Sequence, residues 1–150
     1  MKKKILLTFS ILWSLFITYN SSLPAEESSK GSGFITNLVL NMIDFVGLNI
    51  ETDMLEFFIR KLAHFTIFFI FAVLWSLYFT EEKGLNRGTK LVLVLGLLYA
   101  CFDELLQKTV KGRSGELRDV LIDYSGVMFG LLCYRMTLYI FRKGNKSHVS

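Results

Sequence analysis

The chain has 150 residues, a length typical of one domain. It is 52% hydrophobic and only 20% charged, which makes it more apolar than a typical soluble domain and excludes a disordered chain. Two cysteines are too few for a disulfide framework. The net charge of +4 comes from basic residues that flank apolar blocks, a distribution that disfavours nucleic-acid binding. These features predict a small integral membrane protein.

Four apolar blocks predict four transmembrane helices in an all-α fold. A helix needs about 20 residues to cross a hydrocarbon core about 30 Å thick. The last block has that length, and the other three approach it with the help of neighbouring polar residues or a locally thinner bilayer. The blocks cover residues 5–19, 62–79, 91–106 and 120–141.

The first block follows three lysines at positions 2–4. A basic start and an apolar stretch are also typical of a cleavable signal peptide, but Leu23 is too large for the pattern that a signal protease needs before Ala25. We therefore favour a retained anchor over residues 1–23. The lysines place the N-terminus in the cytoplasm, and four spans place the C-terminus there too.

The segment between the first two spans, residues 24–56, is expected to be extracytoplasmic. Residues 21–33 have the composition of a polar linker. In residues 34–50, apolar side chains recur at helical spacing with polar ones opposite, which predicts an amphipathic helix on the outer membrane surface or a lid over the bundle. Residues 57–142 then form a three-helix core, and residues 143–150 form a cytoplasmic tail.

Several ionisable or amide side chains interrupt the apolar blocks. Lipid cannot solvate such groups, so each ionisable one is a candidate functional residue. They form three groups, one on each of the last three predicted spans, and the spacing within each group places its members on one helix face or next to it. The groups are Lys61 with His64, then Asp103, Glu104 and Gln107, and finally Asp119 with Asp123.

Small residues on the last two spans predict close helix packing. Gly126 and Gly130 have the GxxxG spacing, and Gly96 and Ala100 offer a similar surface. If these faces meet, the carboxylates converge on one outward-opening pocket, and Arg113 in the connecting loop can reach over it. Carboxylates that share a low-dielectric site cannot all stay ionised without a cation, so one of them could act as a general acid.

Structural roles are the alternatives for these residues. His64 could be hydrogen-bonded within the bundle, Lys61 could extend towards the membrane surface, and Asp119 could cap the last helix. Asp123 could bond to Gln107. One histidine among carboxylates suits Mg²⁺, Mn²⁺ or Ca²⁺ better than structural zinc, but no paired-histidine spacing occurs. We predict no cofactor and no metal site, with a divalent cation as the alternative.

Four short motifs follow one another between residues 60 and 130. They read RKLAHF at 60–65, DELLQ at 103–107, GRSG at 112–115 and DVLID at 119–123. This set resembles the VanZ-like family of small bacterial membrane proteins. The chain departs from the family pattern at Leu106, where many members have histidine, and at Lys111, where many have proline.

The resemblance implies low-level resistance to glycopeptide antibiotics at the cell envelope, against teicoplanin more than vancomycin. We expect the pocket to act on a membrane lipid or a lipid-linked cell-wall precursor, and hydrolase or transferase activity is the version to test. The alternative is a non-catalytic module that sequesters the tail of a lipoglycopeptide or binds another envelope protein. The oligomeric state stays open. The candidate catalytic residues are Glu104, Asp123, His64 and Asp103, and the candidate substrate-binding residues are Lys61, Gln107, Arg113 and Asp119.

Overall fold

A computed structural model describes residues 1–45 and 51–147 of the chain. Within those residues the fold is all-α, as predicted, and contains no strand. Each of the four predicted apolar blocks lies inside a single helix. The five helices are α1 (Lys2–Ser22), α2 (Ala25–Phe45), α3 (Thr52–Lys83), α4 (Leu85–Lys108) and α5 (Leu117–Ser147).

The four helices that contain the apolar blocks are α1, α3, α4 and α5, and we call them the four long helices. They alternate in direction along the chain. Lys3 at the start of α1 donates to Glu82 at the end of α3, with Nζ and Oε2 3.0 Å apart, so α1 and α3 are antiparallel. At the other end of α1, Ser21 bonds to Asp103 near the end of α4. Short loops join α3 to α4 and α4 to α5. Helices α1 and α4 therefore run one way, and α3 and α5 run the other way.

Helix α3 lies at the centre of the bundle, where it contacts all four other helices. Its buried aromatic side chains pack against small and branched residues of its neighbours. Burial of this apolar surface within the bundle fixes α3 against its neighbours. The buried core consists of Ile17, Phe68, Phe71, Ala72, Val92, Ala100, Val120, Val127 and Leu131.

The glycines of α5 allow a close approach to α3, which differs from the predicted partner. A Cβ atom at Gly126 would overlap the carbonyl oxygen of Phe65, and one at Gly130 would lie 2.6 Å from that of Phe69. The GxxxG face thus packs on the backbone of α3. Helix α4 meets α5 differently, because the side chain of Val127 fills the space beside Gly96.

Among the described residues, two helices, α1 and α3, are long and apolar enough to cross a membrane. Large apolar side chains of α1, such as Phe9 and Leu12, are more than half exposed. An outward-facing apolar surface of this kind is typical of a helix in contact with lipid or a partner. Helices α4 and α5 carry ionisable residues within their apolar stretches. The two apolar helices indicate that the chain associates with a membrane.

The polar linker predicted for residues 21–33 is wrong except at residues 23 and 24, because α1 ends at Ser22 and α2 begins at Ala25. The carbonyl oxygen of Pro24 accepts the first helical hydrogen bond, from the N–H of Ser28. Glu26 and Glu27 in the first turn interact favourably with the positive end of the helix dipole. These features favour a helix that starts at Ala25 and continues through the serine- and glycine-rich residues 28–33.

The apolar residues that α2 exposes agree with an amphipathic surface helix. Ile35 and Leu38 are 48% and 49% exposed. Residues 46–50 of the predicted amphipathic helix and residues 148–150 of the predicted tail lie outside the described residues. Residues 143–147 of that tail continue α5 as helix.

The close contact between α5 and α3 predicts a different effect of alanine at two helical glycines. Gly126→Ala should destabilise the protein by about 1–3 kcal/mol, because the new methyl group must displace the backbone of α3. Gly33→Ala, on α2, has nothing within 4 Å of the new Cβ and should be neutral or stabilising. Thermal unfolding of the two detergent-purified variants measures this, and equal melting temperatures would contradict the packing.

Candidate functional site

Four titratable side chains from α3, α4 and α5 form a compact cluster. His64, Asp103, Glu104 and Asp123 each offer one ligand-type atom, and these atoms all lie within 4.8 Å of one another. Asp103 and Asp123 are fully buried and Glu104 is 3% exposed. The structure thus brings together all four of the residues that the sequence marked as candidate catalytic groups. We refer to them below as the acidic cluster.

The histidine of the acidic cluster faces the carboxylate on α5. Nδ1 of His64 lies 3.1 Å from Oδ1 of Asp123. This contact replaces the bond between Asp123 and Gln107 that was the structural alternative. Gln107 instead bridges the two carboxylates of its own helix, since its Nε2 donates to Asp103 at 2.9 Å and to Glu104 at 3.4 Å.

Two further donors hold the carboxylates of α4 in place. Ser21 at the end of α1 donates to Oδ1 of Asp103 at 2.6 Å. The backbone N–H of Glu116, just before α5, donates to Oε2 of Glu104 at 2.8 Å. The sequence did not predict a role for Ser21, because it follows the first apolar block without any motif. The docking of α1 against α4 gives it one.

Lys61 and Asp119 form a buried ion pair beside the acidic cluster. Lys61 is 9% exposed and Asp119 is 7% exposed. The side chain of Lys61 is therefore buried in the bundle instead of extending to the membrane surface. Asp119 lies in the first turn of α5 and also pairs with this lysine of α3. The ion pair connects the first turn of α5 to the N-terminal half of α3.

Arg113 connects the loop before α5 to the first two helices. Its Nη1 donates to the carbonyl oxygens of Asn20 and Ser21, both at 3.2 Å, and its Nη2 donates to Ser28. Burial lowers the pKa of the Arg113 guanidinium from its ordinary value, while nearby Asp103 and Glu104 oppose that shift. The side chain of Arg113 is therefore a partly desolvated cation close to the acidic cluster.

A polar cavity of about 80 Å³ lies above the acidic cluster. A second cavity of about 440 Å³ adjoins it between α1, α2 and α3, and its lining is mostly apolar. The two cavities share four lining residues, which are Ser28, Arg60, His64 and Arg113. The other predicted residues that line the polar cavity are Lys61, Gln107 and Asp119.

This arrangement suits a ligand with an anionic head and an apolar tail. Arg60 and Arg113 line both cavities, and guanidinium binds phosphate or carboxylate through two parallel hydrogen bonds. Of the acidic cluster, His64 lines both cavities, and the three carboxylates are buried beside it.

The buried ion pair predicts strongly non-additive effects on stability. Lys61→Met should destabilise the protein by about 3–5 kcal/mol, because Asp119 is left charged and buried without its partner. Adding Asp119→Leu should restore most of that loss, since the double variant buries no charge there. Denaturant unfolding of the wild type, both single variants and the double variant measures the coupling. Additive losses would show that the two side chains do not depend on each other.

The family model of VanZ/LLP1 matches residues 6–141. The match includes α1 and α2, where the sequence showed no family motif, and it contains every residue of the acidic cluster. No curated protein and no solved structure matches the chain. Because the family match covers well over half of the 150 residues, the protein belongs to the VanZ/LLP1 family.

Proposed function

We propose that all four long helices cross the cell membrane, with both termini in the cytoplasm. Helices α4 and α5 have 24 and 31 residues, more than the roughly 20 that a span requires. The ionisable residues within them that form the site are buried in the bundle and avoid lipid. Retention of α1 agrees with its contacts, since Trp13 donates to the carbonyl oxygen of Ile67 and Ser21 completes the site.

This envelope protein contributes to resistance against teicoplanin-type glycopeptides. Membership of the VanZ/LLP1 family supports the role, and the site supports a place of action at the outer end of the bundle. The observation that carries the proposal is the pair of adjoining cavities, one polar and one apolar, that share Arg60, His64 and Arg113. Such a pair fits the head group and tail of a membrane lipid or of a lipid-linked cell-wall precursor.

In the catalytic version of this function, the pocket modifies the head group. Arg113 and Lys61 would hold a phosphate group by charge-assisted hydrogen bonds. Glu104 or Asp123 would carry the proton of a hydrolase or transferase reaction. The hydrogen bonds from Glu116 and Gln107 to Glu104 would keep that carboxyl group in one orientation.

A non-catalytic binding module is the second candidate function. The larger cavity, about 440 Å³, has an apolar lining that could hold the acyl tail of a lipoglycopeptide. Exposed apolar residues on α2, including Ile35 and Leu38, would extend this surface. In this version, the carboxylates only stabilise the bundle, and protection depends on sequestering the drug.

Drug susceptibility of a sensitive Gram-positive host tests the proposed function. The wild-type chain should raise the inhibitory concentration of teicoplanin more than that of vancomycin. Glu104→Gln should abolish this protection, because it removes the proton carrier while keeping the size of the side chain. Glu26→Gln is the matched control, since Glu26 is exposed and pairs only with Lys30 at the surface.

The susceptibility assay separates the two versions when membrane levels of the chains are equal. Loss of protection in Glu104→Gln alone supports catalysis. Equal protection by the wild type and Glu104→Gln supports the binding module. A wild-type chain that protects against neither drug contradicts the proposed function.

The binding module makes its own prediction about the apolar face of α2. Leu38→Asn, on the exposed face and outside the lining of both cavities, should reduce protection if that face holds the drug tail, because polar side chains do not bind acyl chains. Under catalysis by the pocket, the same variant should keep most of its protection. Binding of a fluorescent lipoglycopeptide to detergent-purified protein, measured beside susceptibility, checks which of the two results applies.

A further inference from the structure

The acidic cluster has the composition of a metal site. Three carboxylates and one imidazole converge from three different helices, and one ligand-type atom of each lies within 4.8 Å of the others. Opposite ligands around a cation bound at about 2.1–2.4 Å lie roughly 4.2–4.8 Å apart. The spacing therefore matches a single coordination sphere. From the sequence, a divalent cation was the alternative to no metal site, because the four ligands are distributed over α3, α4 and α5 and show no paired-histidine spacing.

An unpartnered oxygen inside the cluster is a second and independent observation. Oδ2 of Asp123 is buried and has no hydrogen-bond partner among the described residues. The other oxygen of the same carboxylate faces His64 at 3.1 Å. Burying a carboxylate oxygen without a donor is costly. A cation held between Asp123 and the two carboxylates of α4 would satisfy it.

Two nearby basic side chains have other partners within the described structure. Lys61 pairs with Asp119, and the guanidinium of Arg113 donates to Ser28 and to carbonyl oxygens of α1. Among the three carboxylates of the cluster, Asp123 contacts a basic side chain of the described residues, His64. Carboxylates this close in a low-dielectric site take up protons unless a positive charge compensates them.

We propose that His64, Asp103, Glu104 and Asp123 bind one divalent cation of the Mn²⁺ type. Carboxylate oxygens suit Mg²⁺, Ca²⁺ and Mn²⁺, whereas the imidazole nitrogen favours a transition metal. Mn²⁺ meets both preferences. With the metal bound, Glu104 and Asp123 are ligands rather than proton carriers, and the metal would act as a Lewis acid towards a phosphate oxygen bound in the polar cavity beside it.

The hydrogen bonds around the cluster fit this assignment. Ser21 and Gln107 orient Asp103, and the backbone N–H of Glu116 orients Glu104. Carboxylate ligands of metal ions are normally held by such outer hydrogen bonds. The site depends on the geometry of the bundle alone, so it does not rest on a role in glycopeptide resistance.

Binding of Mn²⁺ to the full-length chain tests the site. The detergent-purified protein is treated with a chelator, desalted and titrated with Mn²⁺ while the EPR signal of the free ion is recorded. We expect one ion per chain for the wild type, and affinity weaker by about tenfold or more for Glu104→Gln and Asp123→Asn. Glu26→Gln is the matched control, because its side chain is exposed and pairs with Lys30 at the surface, away from the cluster. It should change the affinity by less than about threefold.

Pulsed EPR of the wild type supplies a measurement that does not depend on whether a variant folds. Bound Mn²⁺ should show coupling to an imidazole nitrogen, and His64→Gln should lose that coupling. Two results overturn the proposal. The first is a wild-type chain that takes up no Mn²⁺ or shows no nitrogen coupling. The second is equal affinity for Mn²⁺ in Glu104→Gln, Asp123→Asn and Glu26→Gln.

Discussion

The rest of the structure depends on the need to pair ionisable side chains inside an apolar bundle. A carboxylate away from water requires a donor or a cation, and Asp103, Asp119 and Asp123 are all buried. Each has a partner on another helix: Ser21 of α1 for Asp103, Lys61 of α3 for Asp119 and His64 of α3 for Asp123. The same contacts that satisfy these groups therefore bring together the ends of α1, α3, α4 and α5 that carry the site.

Apolar packing and polar pairing have different places along the bundle. Near the middle, the glycines of α5 rest on the backbone of α3, and Phe68 and Phe71 fill the core. Close packing there leaves no room for rearrangement, because a methyl group added at Gly126 already overlaps a carbonyl oxygen. The end that carries the acidic cluster is polar and opens into two cavities. A closely packed middle thus holds together the helices that carry the site.

The sequence predicted the long helices and the residues of the site, because both follow from periodicity within single segments. Apolar blocks of suitable length give the helices, and helical spacing groups Lys61 with His64 or Asp119 with Asp123. Features that depend on contacts between segments were not predictable in this way. GxxxG spacing shows that a helix approaches Gly126 closely but does not identify it as α3. The role of Ser21 likewise requires knowing where α1 packs.

The start of α2 shows how composition alone can mislead. The serine- and glycine-rich run indicated a linker, yet Pro24, Glu26 and Glu27 are favourable at a helix N-terminus. The N–H of Ala25 also donates to the carbonyl oxygen of Lys111, which ties α2 to the loop that carries Arg113. Arg113 in turn donates to Ser28 of α2. Ser28 lines both cavities, so α2 forms one wall of each. A flexible linker at this position would leave the apolar cavity open on the side of α2, whereas the helix encloses it.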